Sequence, residues 1–316
     1  MLHVALIENP VSGQHSERRP NEIRDALTVL RAAGVAVEVF EAQARGDAGD
    51  FAHRAVIEGF DTVLACGGDG TVHEILQSLV GSGVALGVIP FGTANALAAD
   101  LGLIASPAEV VRLLLGAIPT RVPVGRIHYR DFGGEQASRY FVVAAGVGAD
   151  ALLMSRMDAR LKRRLGYVLY MTEALRIWFT HSFPLFNAIF QEKDQSLRRE
   201  MWVSQLLAVR VRSFGGALQE LAPGATVRNG TLQVMVFKTQ NRLRFLKFFL
   251  AVLLRRHTFN GAIELIDATA VECHIRNASQ EEIFVEADGE VLGELPVRME
   301  VVPDALTLLI PAGARP

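Results

Sequence analysis

The segment Cys66-Gly67-Gly68-Asp69-Gly70-Thr71 constrains this chain most. It follows a short apolar β-run, Thr62–Ala65, and opens a helical pattern from Val72 to Val80. A strand that turns at once into a helix is the repeating step of an α/β layer. Glycines at the junction let the backbone come very close to another group. Main-chain N–H groups can then crowd an anion, and the helix N-terminus adds partial positive charge. A carboxylate inside such a loop, Asp69, needs a reason. Holding Mg²⁺ or taking a proton from an attacking hydroxyl would supply one. Glycine used only for tight packing is the other reading, and at this point both stand.

The rest of the first third repeats the pattern. The apolar runs His3–Ile7, Val35–Phe40, Thr62–Ala65 and Ala85–Ile89 read as strands. Between them, Ile23, Ala26, Leu27, Leu30 and Ala33 fall on one helical face that ends at Gly34. Ser106-Pro107-Ala108-Glu109 has the form of a capping box and opens a helix to Leu115. Alternating β and α predicts a doubly wound parallel sheet, with ligands beyond the carboxyl ends of its strands. Three segments follow strands directly and would meet at that edge: Asn9–Gly13, Gly67–Thr71 and Pro90–Asn95.

After about Arg121 the texture changes. Short β-runs recur at Tyr140–Ala144, Phe186–Phe190, Trp202–Val211, Thr231–Phe237, Val271–Ile275, Ile283–Glu286 and Val297–Val301. They predict a second, mostly antiparallel β-sandwich domain, interrupted by helical insertions at Asp158–Phe179 and Arg242–Arg255. The expected division is 1–122 for the α/β domain and 123–304 for the second.

Composition limits what such a chain can do. Its 316 residues suffice for two domains. Half are hydrophobic and 21% charged, unlike a disordered chain. A net charge of −2 gives no nucleic-acid footprint. Cys66 and Cys273 form neither a disulfide framework nor a zinc spacing, which suits a reducing cytosol. The apolar start Met1–Ile7 lacks a charged leader and reads as the first strand rather than a signal peptide. The run Phe248–Leu254 is too short to span a bilayer. The expectation is a cytoplasmic protein, soluble or membrane-peripheral.

The loops carry the candidate chemistry. Asn9-Pro10-Val11-Ser12-Gly13 offers an amide, a hydroxyl and a glycine N–H, although Asn-Pro and Ser-Gly are also ordinary turn dipeptides. Pro90-Phe91-Gly92-Thr93-Ala94-Asn95 repeats the offer before another helix. No Gly-Lys-Ser/Thr follows the glycines, so this is not a Walker A loop. His73-Glu74 is not a zinc motif, because Gln77 stands where the second histidine would be. Glu286-Ala287-Asp288-Gly289-Glu290 contains a hairpin dipeptide and carboxylates able to face a ribose or Mg²⁺.

Taken together, these segments resemble the diacylglycerol kinase catalytic-domain family, which includes bacterial lipid kinases and the sphingosine and ceramide kinases. Gly67-Gly68-Asp69-Gly70-Thr71 is similar to its signature, and the Asn9–Gly13 and Pro90–Asn95 loops to its flanking nucleotide loops. Gly146-Val147-Gly148-Ala149-Asp150-Ala151, Gly215-Gly216…Ala222-Pro223 and Asp288-Gly289-Glu290…Pro296 continue in family order. The resemblance implies ATP- and Mg²⁺-dependent phosphorylation of a lipid hydroxyl, by a phosphofructokinase-like α/β domain joined to a β-sandwich, with 305–316 returning to the α/β domain. It implies catalytic roles for Asp69 and Glu290, with Asp69 as hydroxyl base or as a member of the Mg²⁺ network. Asn9, Pro10, Ser12, Gly13, Gly67, Gly68, Gly70, Thr71, Gly92, Thr93, Asn95 and Asp288 would contact the nucleotide.

Departures from the family are specific. Ala96 stands where many bacterial members carry an aspartate, and Arg121-Val122-Pro123-Val124-Gly125 lacks another. Asn95-Ala96-Leu97-Ala98 instead resembles the sphingosine- and ceramide-kinase form. Asn229-Gly230-Thr231-Leu232 replaces an Asp-Gly-x-Leu that holds a structural Mg²⁺, leaving Asn229 as a weaker metal ligand. Gln14 replaces a basic residue that Arg18 or Arg19 could supply. A lipid substrate requires membrane contact. Arg156, Arg160, Lys162, Arg163 and Arg164 in the first insertion suit anionic lipid, as do Arg242, Arg244, Lys247, Arg255 and Arg256 around Phe245, Phe248 and Phe249 in the second. Core packing of the apolar residues is the competing reading. Diacylglycerol, a sphingoid base and ceramide all remain as acceptors, beside a catalytically weak nucleotide- or lipid-binding regulator.

Overall fold

The computed structural model describes residues 1–13, 18–156, 172–173, 175–192, 198–212, 214, 221–253, 259, 261–275 and 282–314. They form two compact units, Met1–Val124 with Pro303–Pro316, and Gly125–Val302.

In the first unit the central strands are apolar along their whole length, as strands covered on both faces must be. Strands β1 (His3–Glu8), β2 (Ala36–Glu41), β3 (Thr62–Gly67) and β4 (Ala85–Pro90) pair in the order β2-β1-β3-β4, all parallel. The far end of β14 (Glu290–Ile310) adds a fifth parallel strand, with Thr307 opposite Ala85. Helix α1 (Arg19–Ala32) packs with α5 (Pro107–Leu115), and α2 (Asp47–Ile57) with α3 (Asp69–Leu79). The expected capping box is made: Glu109 accepts the Ser106 backbone N–H at 3.1 Å and its hydroxyl at 2.7 Å. Strand order reverses between β1 and β3, the switch point where such sheets open a crevice. The loops after β1 and β3 flank it.

The second unit is antiparallel. Its strands are β5 (Ile118–Arg130, entering from the first unit), β6 (Gln136–Phe141), β7 (Ala144–Val147), β8 (Phe186–Glu192), β9 (Arg198–Val203), β10 (Gln205–Val209), β11 (Leu232–Phe237), β12 (Ile263–His274) and β13 (Phe284–Ala287), completed by the first half of β14. The order β13-β7-β10-β11-β12 is closed by β14, which pairs with β13 and, past Thr269, with β12. Phe141, Phe186, Phe190, Val234 and Met299 lie at the centre of the buried core.

Two expected strands are broken in the structure. Tyr140–Ala144 divides between β6 and β7, because Asp288 captures the N–H groups of Val142, Val143 and Ala144. Trp202–Val211 divides at Ser204, whose hydroxyl turns to the carbonyls of Thr239 (2.6 Å) and Phe237 (3.2 Å).

Of the insertions, 157–171 lie outside the described residues, as do 254–258. In α7 (Arg242–Leu253), Phe245 and Phe248 turn inward. Phe245 stacks between Phe183 and Phe237 at 4.4 and 4.8 Å. No helix among the described residues is long and apolar enough to cross a membrane.

Both cysteines are buried free thiols, and burial pushes each thiol's pKa up. A thiolate is the reactive form. Neither Cys66 nor Cys273 should therefore react with Ellman's reagent at pH 8 until the protein is unfolded. A fast-reacting thiol in the native protein would contradict this packing.

Candidate functional site

Three loops leave the carboxyl ends of β1, β3 and β4 and are knitted together by backbone. The Asn9 N–H donates to Cys66 O at 3.1 Å, and the Phe91 N–H to Gly67 O at 2.8 Å. Gly68 and Gly92 pass so closely that a Cβ on Gly92 would lie 2.6 Å from the Gly68 Cα. Gly13 has φ +74°, and a Cβ there would lie 1.9 Å from Phe91 O. Side chains at these positions would push the loops apart, so glycine is required by geometry.

The polar side chains then divide into two groups. One group builds the loops. Asn9 donates from Nδ2 to Thr71 Oγ1 at 3.1 Å and accepts the Val11 N–H at 3.2 Å. Thr71 is buried, so its hydroxyl supports Asn9 beneath the loop instead of reaching a phosphate. Asn95 has φ 49° and closes its own loop, exchanging two 2.8 Å hydrogen bonds with Gly92. Ser12 belongs to both groups: its hydroxyl donates to Asn9 O at 2.8 Å, and the residue is half-buried at the loop surface. The other group lies at the surface of the loops. Gly70, Thr93 and Ala94 are exposed, while Pro10, Ser12, Gly68 and Asp69 are half-buried. Gly68 is the N-cap of α3, so Asp69 and Gly70 present first-turn N–H groups toward the same surface.

Asp69 sits in the first turn of α3 and accepts the Ala96 N–H on Oδ1 at 2.8 Å. It thereby ties the start of α3 to the start of α4 (Ala96–Asp100).

Sequence reasoning missed the weight of Arg19. It is buried, and its guanidinium donates to Ser12 O and Asn9 O at 2.7 Å each and lies 4.5 Å over the Phe91 ring. It also faces Glu8 at 3.4 Å. Of Arg18 and Arg19, which could supply the basic residue that Gln14 replaces, Arg19 turns its donors onto the loop's own carbonyls. Proline at the start of α1 with an arginine just before it was the only signal.

The remaining candidates lie in the second unit. Asp288 (φ 49°) and Gly289 (φ 83°) form the two-residue turn joining β13 to β14. That is the turn an Asp-Gly pair favours. The Asp288 carboxylate accepts the N–H groups of Val142, Val143 and Ala144 at 2.9–3.0 Å. That is a structural role for a carboxylate that was expected to contact the nucleotide. Glu290 follows at the first position of β14, half-buried. Asn229, the candidate metal ligand, donates from Nδ2 to Gly224 O at 2.9 Å. Among the described residues no three His, Cys, Asp or Glu side chains form a group able to hold a metal.

A further pair was not singled out. Asp150 at the start of α6 (Ala149–Arg156) and buried Glu286 both approach Gly146, where an added Cβ would meet their oxygens at 2.8 and 2.9 Å. Glu286 also accepts the Gly289 N–H at 2.8 Å. Burial, followed by the charge of Asp150, raises Glu286 well above the usual carboxylate range; burial pushes Asp150 up to about 6. The two share a hydrogen bond, so the folded state holds a proton that the unfolded chain releases near pH 4. The stability from this pair is complete below that pH and is lost as pH rises through the raised values. The loss is about 1.4 kcal/mol per pH unit while a raised carboxyl titrates. Glu286→Gln keeps a donor toward Asp150 without the charge. Urea unfolding at pH 5 and pH 8 should show a smaller loss in the variant than in the native chain. Equal losses would remove the shared proton.

Closely packed glycine loops at the switch point of a parallel sheet, in a chain whose second unit is antiparallel β-structure, define a two-unit α/β protein with a backbone-lined loop site. Comparison with known proteins makes the class specific. Residues 3–127 match the diacylglycerol kinase catalytic domain, and residues 141–310 the YegS C-terminal NAD kinase beta sandwich-like domain. The chain belongs to this family of lipid kinases. It is 29% identical to a "Probable lipid kinase YegS-like" of Chromohalobacter salexigens, over 93% of this chain and 90% of the relative. It is 28% identical to a diacylglycerol kinase of Mycobacterium tuberculosis, over 98% and 95%. A crystal structure of a diacylglycerol kinase from Bacillus anthracis shares the fold, with TM-score 0.71 at 20% identity, over 99% of this chain and 97% of that one.

Proposed function

We propose that this chain transfers the γ-phosphoryl group of ATP to a lipid hydroxyl, with diacylglycerol as the leading acceptor. The observation that carries the proposal is the Gly68–Gly92 approach beside Asp69 at the N-terminus of α3. Bare backbone and helix N–H groups suit phosphate oxygens. Ser12, Gly68, Gly70 and Thr93 would hold the phosphates. Bound Mg²⁺ would neutralise charge on the transferring group, and Asp69 is the carboxylate that would face it. Asp69 would also accept the proton of the attacking hydroxyl. Phosphoryl transfer depends chiefly on positioning and charge stabilisation, which this loop set supplies.

A sphingoid base or ceramide is the second reading of the acceptor, favoured by Asn95-Ala96-Leu97-Ala98. Mass spectrometry of a total lipid extract after incubation with ATP and Mg²⁺ separates the acceptors. A phosphorylated glycerolipid supports the leading reading, and a phosphorylated sphingolipid the second.

The protein would work as a peripheral enzyme at the cytoplasmic face of a membrane. On α7, Leu243 and Leu250 are exposed beside exposed Arg242, Arg244 and Lys247. Apolar and basic side chains on one exposed helix suit anionic lipid. Co-sedimentation with anionic vesicles, reduced by Leu243→Glu, is the expected result. Equal recovery with and without vesicles would count against docking.

A further inference from the structure

The segment joining β10 to β11 is where the family resemblance implies a structural Mg²⁺, and the residues present do not fit one. Hard divalent cations take six or more oxygen ligands, usually with carboxylates among them. Here the two carbonyls best placed to serve, Val227 O and Asn229 O, accept hydrogen bonds from Arg210 Nη2 at 3.0 and 3.2 Å. Arg210 is 1% exposed, so its guanidinium lies inside the unit. The Asn229 side chain donates an N–H to Gly224 O, so a third carbonyl of the segment is engaged by a protein donor. Gly224 in turn donates its own N–H to Gln233 Oε1 at 3.2 Å.

The same arginine reaches a second part of the unit. Its backbone N–H donates to Val143 O at 2.9 Å. The charge of Asp288 acts on its guanidinium, and Asp288 holds the backbone on either side of Val143. One buried cation thus serves the 221–231 segment and the turn that leads to Glu290. Burial lowers Arg210 to about 10, which leaves it charged at neutral pH.

We propose that Arg210 takes the place of a structural divalent cation in this unit, so that the unit folds and holds its Asp288–Glu290 turn without Mg²⁺. Arg210 is then a positioning residue, and Mg²⁺ is needed only with the nucleotide. The inference rests on the packing of the second unit and is independent of which lipid is phosphorylated.

The test is thermal unfolding of the full chain without nucleotide, in EDTA and in MgCl₂ at matched ionic strength. Coincident melting curves are expected, together with less than one equivalent of divalent metal per chain after gel filtration. A structural site held at a hundred times its Kd would add about 2.7 kcal/mol, a readily visible shift. Melting that falls in EDTA and recovers with Mg²⁺, or one retained metal per chain, would overturn the proposal. The double variant Arg210→Met with Asn229→Asp removes the internal cation and restores a carboxylate. Its melting temperature should rise with Mg²⁺. A folded double variant that is indifferent to Mg²⁺ would also overturn the proposal. Should that variant not fold, the native chain's two melts still decide.

Discussion

Asp69→Asn is expected to lower turnover by about 10²–10⁴-fold, the usual contribution of a positioned general base. The fold should survive. Asparagine keeps the oxygen that accepts the Ala96 N–H, so the link from α3 to α4 is retained. The glycine contacts between the loops do not involve the side chain at 69. What is lost is negative charge at the mouth of a helix N-terminus, where a proton or Mg²⁺ would be received. Steady-state kinetics beside a melting curve measures both halves. A fall in turnover without a fall in melting temperature is predicted. Near-native turnover would remove Asp69 from the chemistry.

Gly92→Ala is expected to weaken ATP binding strongly while leaving most of the fold in place. The new methyl would stand 2.6 Å from the Gly68 Cα and 2.6 Å from Asn95 Oδ1. Neither neighbour can yield cheaply. Gly68 is fixed as the N-cap of α3, and Asn95 is fixed by its two hydrogen bonds to Gly92. The β3 and β4 loops must therefore separate, moving the donors that would surround a phosphate. A displacement of about 1 Å at such a site costs on the order of 10²-fold. The KM for ATP should rise, and lipid KM should change less. An unchanged ATP KM would mean that the phosphates do not lie across these two loops.

The first unit was legible because its signals are local. Strands β1, β3 and β4 are nearly continuous apolar runs, β2 carries Glu38 and Glu41 among its apolar residues, and the reading of each lies within two residues of its structural ends. The Ser106 capping box and the Asp288-Gly289 turn were read from side-chain chemistry that acts over two or three residues. Less was legible where distant residues decide. Asp288 breaks the Tyr140–Ala144 run from about 145 positions away, so nothing near Val142 announces it. β5 went unread because Pro119 and Pro123 lie within it, and proline argues against a strand.

The candidate site was legible in its residues and less so in their division of labour. Asn9, Thr71 and Asn95 look like ligands in the sequence because their side chains are polar and stand beside glycines. In the structure their hydrogen bonds hold one loop to another. Arg210 had a sequence signal, a lone arginine within the apolar run Leu206–Val211, since a buried charge there must find partners. Glu286 had a weaker one, because its neighbour Asp150 belongs to another segment.

The central claim is that the Gly68–Asp69–Gly92 constellation passes a phosphoryl group from ATP to a lipid. Its most direct test is transfer of label from γ-labelled ATP, with Mg²⁺, into an organic extract of diacylglycerol-containing vesicles, comparing the native chain with Asp69→Asn. Label in the organic phase with the native chain, falling by at least about 10²-fold in the variant, is the predicted result. ATP bound or hydrolysed with no label in any lipid, or equal labelling by both proteins, would contradict it.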